Sequence, residues 1–213
     1  MHNKITKAVT ASLMAAAMLT TTVATIAPMS VSAGQVLGEN DFTYKALPWH
    51  TCETNPAKQT FELTSDGTFH VTVKEPGGVA AGGESRWDLQ FRHRNLTFKA
   101  GHTYKIHWEV KVSRPGIQIN TKIGNIKGDE EYWNNNNAGP HGGGTWNPII
   151  TINSTEWQKF DSTWTCPQNL EGVEWAFHYG GAGANQPTPC TQSGDEIWFD
   201  NLSLIHISEP TRP

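Results

Sequence analysis

An all-β fold, a jelly-roll β-sandwich of two antiparallel sheets, is what this sequence predicts. Runs of alternating apolar and polar residues recur through the chain after residue 34. Turn signals rich in Gly, Pro and Asp separate them. No apolar stripe of helical period follows the first 33 residues. Many short strands at regular spacing bury their apolar faces in a sandwich or a barrel.

Taken in order, residues 1–33 read as a secretory signal peptide that precedes the fold. Lys4 and Lys7 supply a positive start, an apolar run leads to Ala27, and Val31-Ser32-Ala33 supplies the cleavage site. Strands are expected over 59–63, 68–73, 86–94, 102–112, 117–123, 156–164, 173–179 and 196–204. Turns at Ser65-Asp66-Gly67, Pro76-Gly77-Gly78, Arg114-Pro115-Gly116 and the glycines from Gly180 to Gly183 divide them. Two long polar segments, 128–148 and 180–194, interrupt the regularity, and such segments are functional or unstructured. Residues 205–213 read as a translated sequencing adapter, so the native chain is expected to continue beyond it. What remains, 34–204, has the length of one domain.

The formal net charge is −4. That argues against nucleic acid and against an anionic membrane surface, whose partners carry a basic surplus. Nine tryptophans are many for 213 residues and need a use. Export permits a disulfide. Three cysteines allow one pair in three ways, and Cys166–Cys190 is the expected one because both flank the last strands. No C-x-x-C and no H-E-x-x-H is present, which leaves no thiolate or paired-histidine zinc site. Nor does a nucleophile elbow or a carboxylate pair of the kind glycoside hydrolysis requires. Asp129, Glu130 and Glu131 lie in a loop pattern and are expected to be solvated.

The richest stretch is RWDLQFRHR, 86–94. Alternation puts Trp87, Leu89, Phe91 and His93 on one face, and Arg86, Asp88, Gln90, Arg92 and Arg94 on the other. An indole offers a flat apolar surface to the C–H face of a sugar ring, and planar Gln and Arg groups reach pairs of hydroxyls. Trp133 and Trp146 border the Asn/Gly-rich segment, where few apolar residues are at hand to cover them. They are expected to mark a ligand face or to fold back as lids. Trp108, Trp157, Trp164, Trp175 and Trp198 read as packing residues, and Trp49 as a plug at one end. His50, His93 and His178 read as hydrogen-bonding partners.

Several motifs occur in a set order: PWHTC (48–52), RWDLQFRHR, AGHTYKI (100–106), TKIG (121–124), EEYWNNN (130–136), TWNP (145–148), FHYGG (177–181) and FDNLSL (199–204). Together they resemble carbohydrate-binding module family 4, most closely the amino-terminal modules of family 9 cellulases from cellulosome-producing bacteria. The resemblance implies a cleft for β-1,4-glucan, no catalysis in this segment, and a secreted, cellulosome-type setting with a downstream glycoside hydrolase domain. It assigns sugar stacking to Trp87 and Trp146, and polar cleft positions to Gln90 and Arg92. It implies no required cofactor beyond a structural calcium. Of the calcium ligands Asp200 remains, while Thr43 and Tyr44 stand where the acidic pair after Phe42 would be. The inserted AGPHGGG and a missing cysteine near Gln59 also depart from the family, so its disulfide pattern does not transfer. A jelly-roll enzyme acting on β-glucan or xylan and a structural adhesion domain are the alternative readings.

Overall fold

The computed structural model describes residues 35–40, 42, 48–128, 130–134 and 149–207. The expected signal peptide and Trp146 fall outside them. The strands are β1 (Gln35–Asn40), β2 (His50–Glu53), β3 (Lys58–Leu63), β4 (Phe69–Glu75), β5 (Leu89–Phe98), β6 (Thr103–Val112), β7 (Ile117–Gly124), β8 (Glu131–Asn134), β9 (Ile150–Ile152), β10 (Gln158–Thr165), β11 (Leu170–His178) and β12 (Glu196–Ile207). The eight long alternating runs all become strands. The four additional ones, β1, β2, β8 and β9, are too short or too irregular for alternation to reveal.

Every pairing is antiparallel. One sheet has the order β10-β6-β12-β4-β3, with β1 on the far half of β12. The other has β2-β5-β11-β7-β8, with β9 on the start of β7. From β4 to β7 the chain changes sheet at every connection. Neighbours in a sheet are therefore mostly distant in sequence, and the two layers are tied together by the chain itself. This is the expected two-sheet sandwich.

Between the layers lies an aromatic core. Phe91 sits at its centre, with ring centroids of Phe69, Trp49 and Phe199 at 4.4, 4.6 and 4.6 Å. Trp49 stacks on Phe91 and meets Trp175 edge-on, so it is a core residue and not an end plug. Two long strands keep their inward set across a slip of register. In β5 the buried positions are Leu89, Phe91 and His93, then Leu96 and Phe98. In β12 they are Ile197 and Phe199, then Leu202 and Leu204. Each slip holds an asparagine in the left-handed region, Asn95 at φ 61° and Asn201 at φ 49°, which absorbs the extra residue of a bulge. The alternation in 86–94 fades after Arg94 for this reason. Beyond Leu204, Ile205, His206 and Ile207 continue β12 opposite Lys105, Tyr104 and Thr103.

Two expectations fail here. Trp133 does not present a ligand face: it is 2% exposed. It stands opposite the inward Ile123 on β8, and a short edge strand supplies the cover that the surrounding asparagines could not. Cys166 and Cys190 are not bonded; all three cysteines are free thiols. Cys166 bonds to the turn that opens β6, whereas the Cys190 carbonyl accepts the N–H of Gln118, just beyond its far end. Ten residues of β6 separate those ends, roughly 30 Å, while a disulfide needs Cα atoms within about 7 Å.

Phe91→Ala is expected to cost about 3–5 kcal/mol in a denaturant titration, against under about 0.5 kcal/mol for the surface change Trp157→Ala. Thiol labelling of the native protein should modify the half-buried Cys52 first. Cys190, whose thiol burial pushes up to about 11, should react only on unfolding. Fewer than three labels on the unfolded, unreduced chain would contradict the free-thiol assignment.

Candidate functional site

The outward face of the second sheet has its side chains in rows set by register. Gln90, His178 and Asn120 form one row across β5, β11 and β7. Arg92, Ala176 and Lys122 form the next, continued by His50 on β2 and Asn134 on β8. Glu174 follows, opposite Gly124. Trp175 and Phe177 lie between these positions and point inward, as period two requires. The small Ala176 leaves space for long neighbours to converge on Glu174. Its carboxylate receives Arg94 at 3.1 Å, Lys122 at 3.8 Å and Arg92 at 4.0 Å. Burial draws the Lys122 ammonium below its ordinary range, and Glu174 and Glu131 oppose that shift.

Three loops raise walls on this floor: a 3-10 turn at Arg86–Asp88, the β7–β8 turn with Ile126, and the segment 184–186. They enclose a cleft of about 580 Å³. The first wall is built around Asp88, which is fully buried. Its Oδ2 accepts the backbone N–H groups of Gly78 at 2.7 Å, Glu84 at 2.8 Å and Ser85 at 3.2 Å. Ser85 and Asp88 close a capping box that starts the turn. From the other side Gly180 donates its N–H to the Arg86 carbonyl at 2.7 Å. Gly181 packs so closely that a Cβ there would lie 2.1 Å from the Gly77 carbonyl oxygen.

This turn corrects the expected strand over 86–94, which begins only at Leu89. Trp87 consequently leaves the face it would share with Leu89 and Phe91 and stands on the rim, 38% exposed. Its Nε1–H donates to Glu84 Oε2 at 2.7 Å, and the Arg86 guanidinium carbon lies 5.3 Å from the ring centre. The S-R-W-D spacing is the sequence signal that could have revealed the turn.

Gln90 and Arg92 lie on the cleft floor, half-buried and bonded to each other. Gln90 Nε2 donates to the Trp87 carbonyl at 2.8 Å, its Oε1 accepts from Arg92 Nη1 at 3.1 Å, and Arg92 Nε donates to His50 Nε2 at 3.2 Å. His50 is thus protonated on Nδ1, which donates to the Pro48 carbonyl. The two expected polar residues join Trp87 in one site, whereas Trp133 faces the core. Arg86, which alternation also placed outward, completes the lining together with Lys122, Glu174 and His178, which it did not single out. The run VEWAFHYG held the signal for two of them, since inward Trp175 and Phe177 oblige Glu174 and His178 to face outward.

His178 is 5% exposed, and neither ring nitrogen has a hydrogen-bond partner. Burial first, then Lys122, Arg86 and Arg92, hold its pKa well below the ordinary 6.5. The carboxylates of the lining are all engaged: Glu84 with Trp87, Glu131 with Asn134, and Glu174 with its cations. Asp200 lies opposite Glu109, whose carboxylate takes Lys159 at 2.8 Å, and no group of three metal-ligating side chains gathers among the described residues. Calcium takes six to eight oxygens, of which Asp200 could supply one carboxylate. The cleft offers stacking, hydrogen bonds and charge, the chemistry of binding.

Residues 34–189 match the carbohydrate binding domain family of type 4/9. A cellulose 1,4-β-cellobiosidase of Acetivibrio thermocellus is 30% identical over 183 residues, 78% of this chain and 18% of that protein. The chain therefore spans less than a fifth of that relative's length. Among solved structures, a CBM4 module is 19% identical with a TM-score of 0.56, covering 84% of this chain and 100% of that one. The amino-terminal cellulose-binding domain of β-1,4-glucanase C from Cellulomonas fimi is 14% identical with a TM-score of 0.52, covering 84% and 100%. At these identities the structural likeness is one of fold.

His178 gives stability a pH dependence. The unfolded chain takes up a proton near pH 6.5 that the folded chain refuses until well below it, so stability is full above that value and is lost as pH falls below it. A one-proton difference amounts to about 1.4 kcal/mol per pH unit. Denaturant midpoints should fall on acidification, and His178→Gln should flatten the fall. His93, also held low by burial, leaves a residual slope. A wild type equally stable on both sides of pH 6.5 contradicts the assignment.

Proposed function

This chain belongs to the carbohydrate binding domain family of type 4/9, and we propose that its cleft holds a single chain of β-1,4-glucan, cellulose or a related β-glucan, without cleaving it. The observation that carries the reading is Trp87. It is a half-exposed indole at the lip of a cleft with a polar floor, oriented in advance by Glu84 and Arg86. Each glucose in such a chain presents C–H groups on its flat faces and hydroxyls around its edge. The indole removes the apolar face from water, while the Gln90–Arg92 pair and the floor meet the hydroxyls. Ile126, 40% exposed on the opposite wall, adds apolar surface. A trough accepts one strand of polymer, whereas a crystal surface calls for a flat aromatic row. Soluble and amorphous β-glucans are therefore the preferred ligands. Trp146, outside the described residues, is assigned as the second stacking ring on the family resemblance.

The module acts as a targeting part of a secreted, cellulosome-type glycoside hydrolase, supported by its likeness to a cellobiosidase of which it spans 18%. It needs no cofactor: every group invoked belongs to the chain. Holding polymer near a catalytic domain raises the effective substrate concentration without any new contact in the catalytic centre.

Affinity electrophoresis on a polysaccharide panel tests this. Wild type is expected to be retarded by β-1,4-glucans, with Trp87→Ala and Trp146→Ala each weakening binding about tenfold or more. Chelation with EDTA should leave retardation unchanged, and so should salt, because the polymer is neutral. Free migration of the wild type on every β-glucan would overturn the proposal, and release of reducing sugar would overturn its non-catalytic part.

A further inference from the structure

Three side chains lining the cleft carry buried polar atoms that have no partner among the described residues: Nε of Arg86, both ring nitrogens of His178, and Oε1 of Gln186. They come from three elements, the 3-10 turn, the end of β11 and the loop after it. Their residues are only 3, 5 and 7% exposed. Buried polar atoms ordinarily find partners, and three orphans around one cavity mark a place where a ligand supplies them.

Arg86 decides what kind of ligand. A guanidinium does not give up its proton, so a buried one needs an anion or dense hydrogen bonding. No carboxylate of the described residues reaches it within ion-pairing distance. Glu174 serves Arg94, Lys122 and Arg92; Glu84 serves Trp87; Asp88 Oδ2 is spent on three backbone N–H groups; Glu131 favours the guanidinium's charge through space but bonds to Asn134. Trp87 offers only a π face. Among the described residues the cleft is lined by Arg86, Arg92, Lys122 and Lys127 against Glu84, Glu131 and Glu174, four cations to three carboxylates. A neutral chain offers only hydroxyls and would leave the guanidinium without an ion-pair partner.

We propose that the preferred ligand of the cleft is a β-linked glycan bearing a carboxylate, a uronic acid unit, with the carboxylate paired by Arg86 and adjacent ring hydroxyls taken by His178 and Gln186. The inference rests on the glycan-binding reading above and specifies its substrate class. Neutral imidazole brings one donor and one acceptor, and a uronate presents hydroxyls beside its C6 carboxylate that can use both. Gln186 directs its Nε2 to the Thr188 carbonyl, which leaves Oε1 to accept from a sugar hydroxyl. Trp87 would then stack on a sugar next to the charged pair.

Calorimetry with two ligands of the same backbone tests it: cello-oligosaccharides partly oxidised at C6 to glucuronate, and their unoxidised parent. At low salt the oxidised ligand is expected to bind about tenfold tighter or more. That advantage should shrink in high salt, and in Arg86→Gln the ratio of the two affinities, measured within that variant, should fall to about one. Equal binding of the two ligands by the wild type overturns the inference. So does an advantage that survives high salt or Arg86→Gln. If Arg86→Gln fails to fold, the wild-type comparison and its salt dependence decide alone. Binding of the parent without preference for the uronate sinks only this inference; binding of neither ligand sinks the β-glucan reading as well.

Discussion

From Val173 onward strand β11 is buried on both faces, and the two faces demand opposite chemistry. Toward the core it offers Trp175 and Phe177; toward the cleft it offers Glu174, Ala176 and His178, all nearly closed to water. A sheet strand separates two environments by alternation alone, so the aromatic interior and the charged floor are one residue apart along the chain. The site follows from that. Glu174 can gather Arg94, Lys122 and Arg92 because β5 and β7 flank β11 in matched register. If the register slipped by one residue, the carboxylate would enter the aromatic core and the indole would enter the cleft.

The cleft walls obey a different rule. They are loops, and their shape is set by backbone hydrogen bonds to a buried carboxylate. Asp88 gathers three N–H groups from the 78–85 segment, and the glycines at 77 and 181 allow that segment to touch the loop after β11 backbone to backbone. Trp87 is placed by this arrangement and not by a strand. An aromatic ring in so exposed a position would otherwise sample several rotamers. The hydrogen bond to Glu84 and the Arg86 guanidinium beside it settle the ring beforehand, which lowers the ordering cost of any stacking contact it makes.

Charge in the cleft is unevenly satisfied, and the contrast is informative. Glu174 lies among three cations and has every reason to be where it is, as a brace that keeps long side chains extended across the sheet. Arg86, His178 and Gln186 lack such partners although they are equally buried. Buried polar groups are tolerated where they are bonded, or where function keeps them open. The floor is thus divided into a braced part around Glu174 and a part whose polar atoms have no partner among the described residues.

Much of this could be read from the chain before any coordinates. Period-two alternation announced eight of the strands and therefore the sandwich, because alternation is a local property of consecutive residues. The same logic placed Gln90 and Arg92 outward and Phe91 inward, and the ordered motifs pointed to the family. Trp87 was expected on a strand and stands in a turn, because a capping box of four residues outweighed the pattern that surrounds it. Burial of Trp133, separation of Cys166 from Cys190, and the meeting of Arg86, Lys122, Glu174 and His178 were beyond reach. Each depends on which strands lie side by side, and in this sandwich those neighbours are far apart in the chain, Arg94 and Glu174 by 80 residues. Local chemistry sets which way a side chain points; only the pairing of distant strands settles what it meets there.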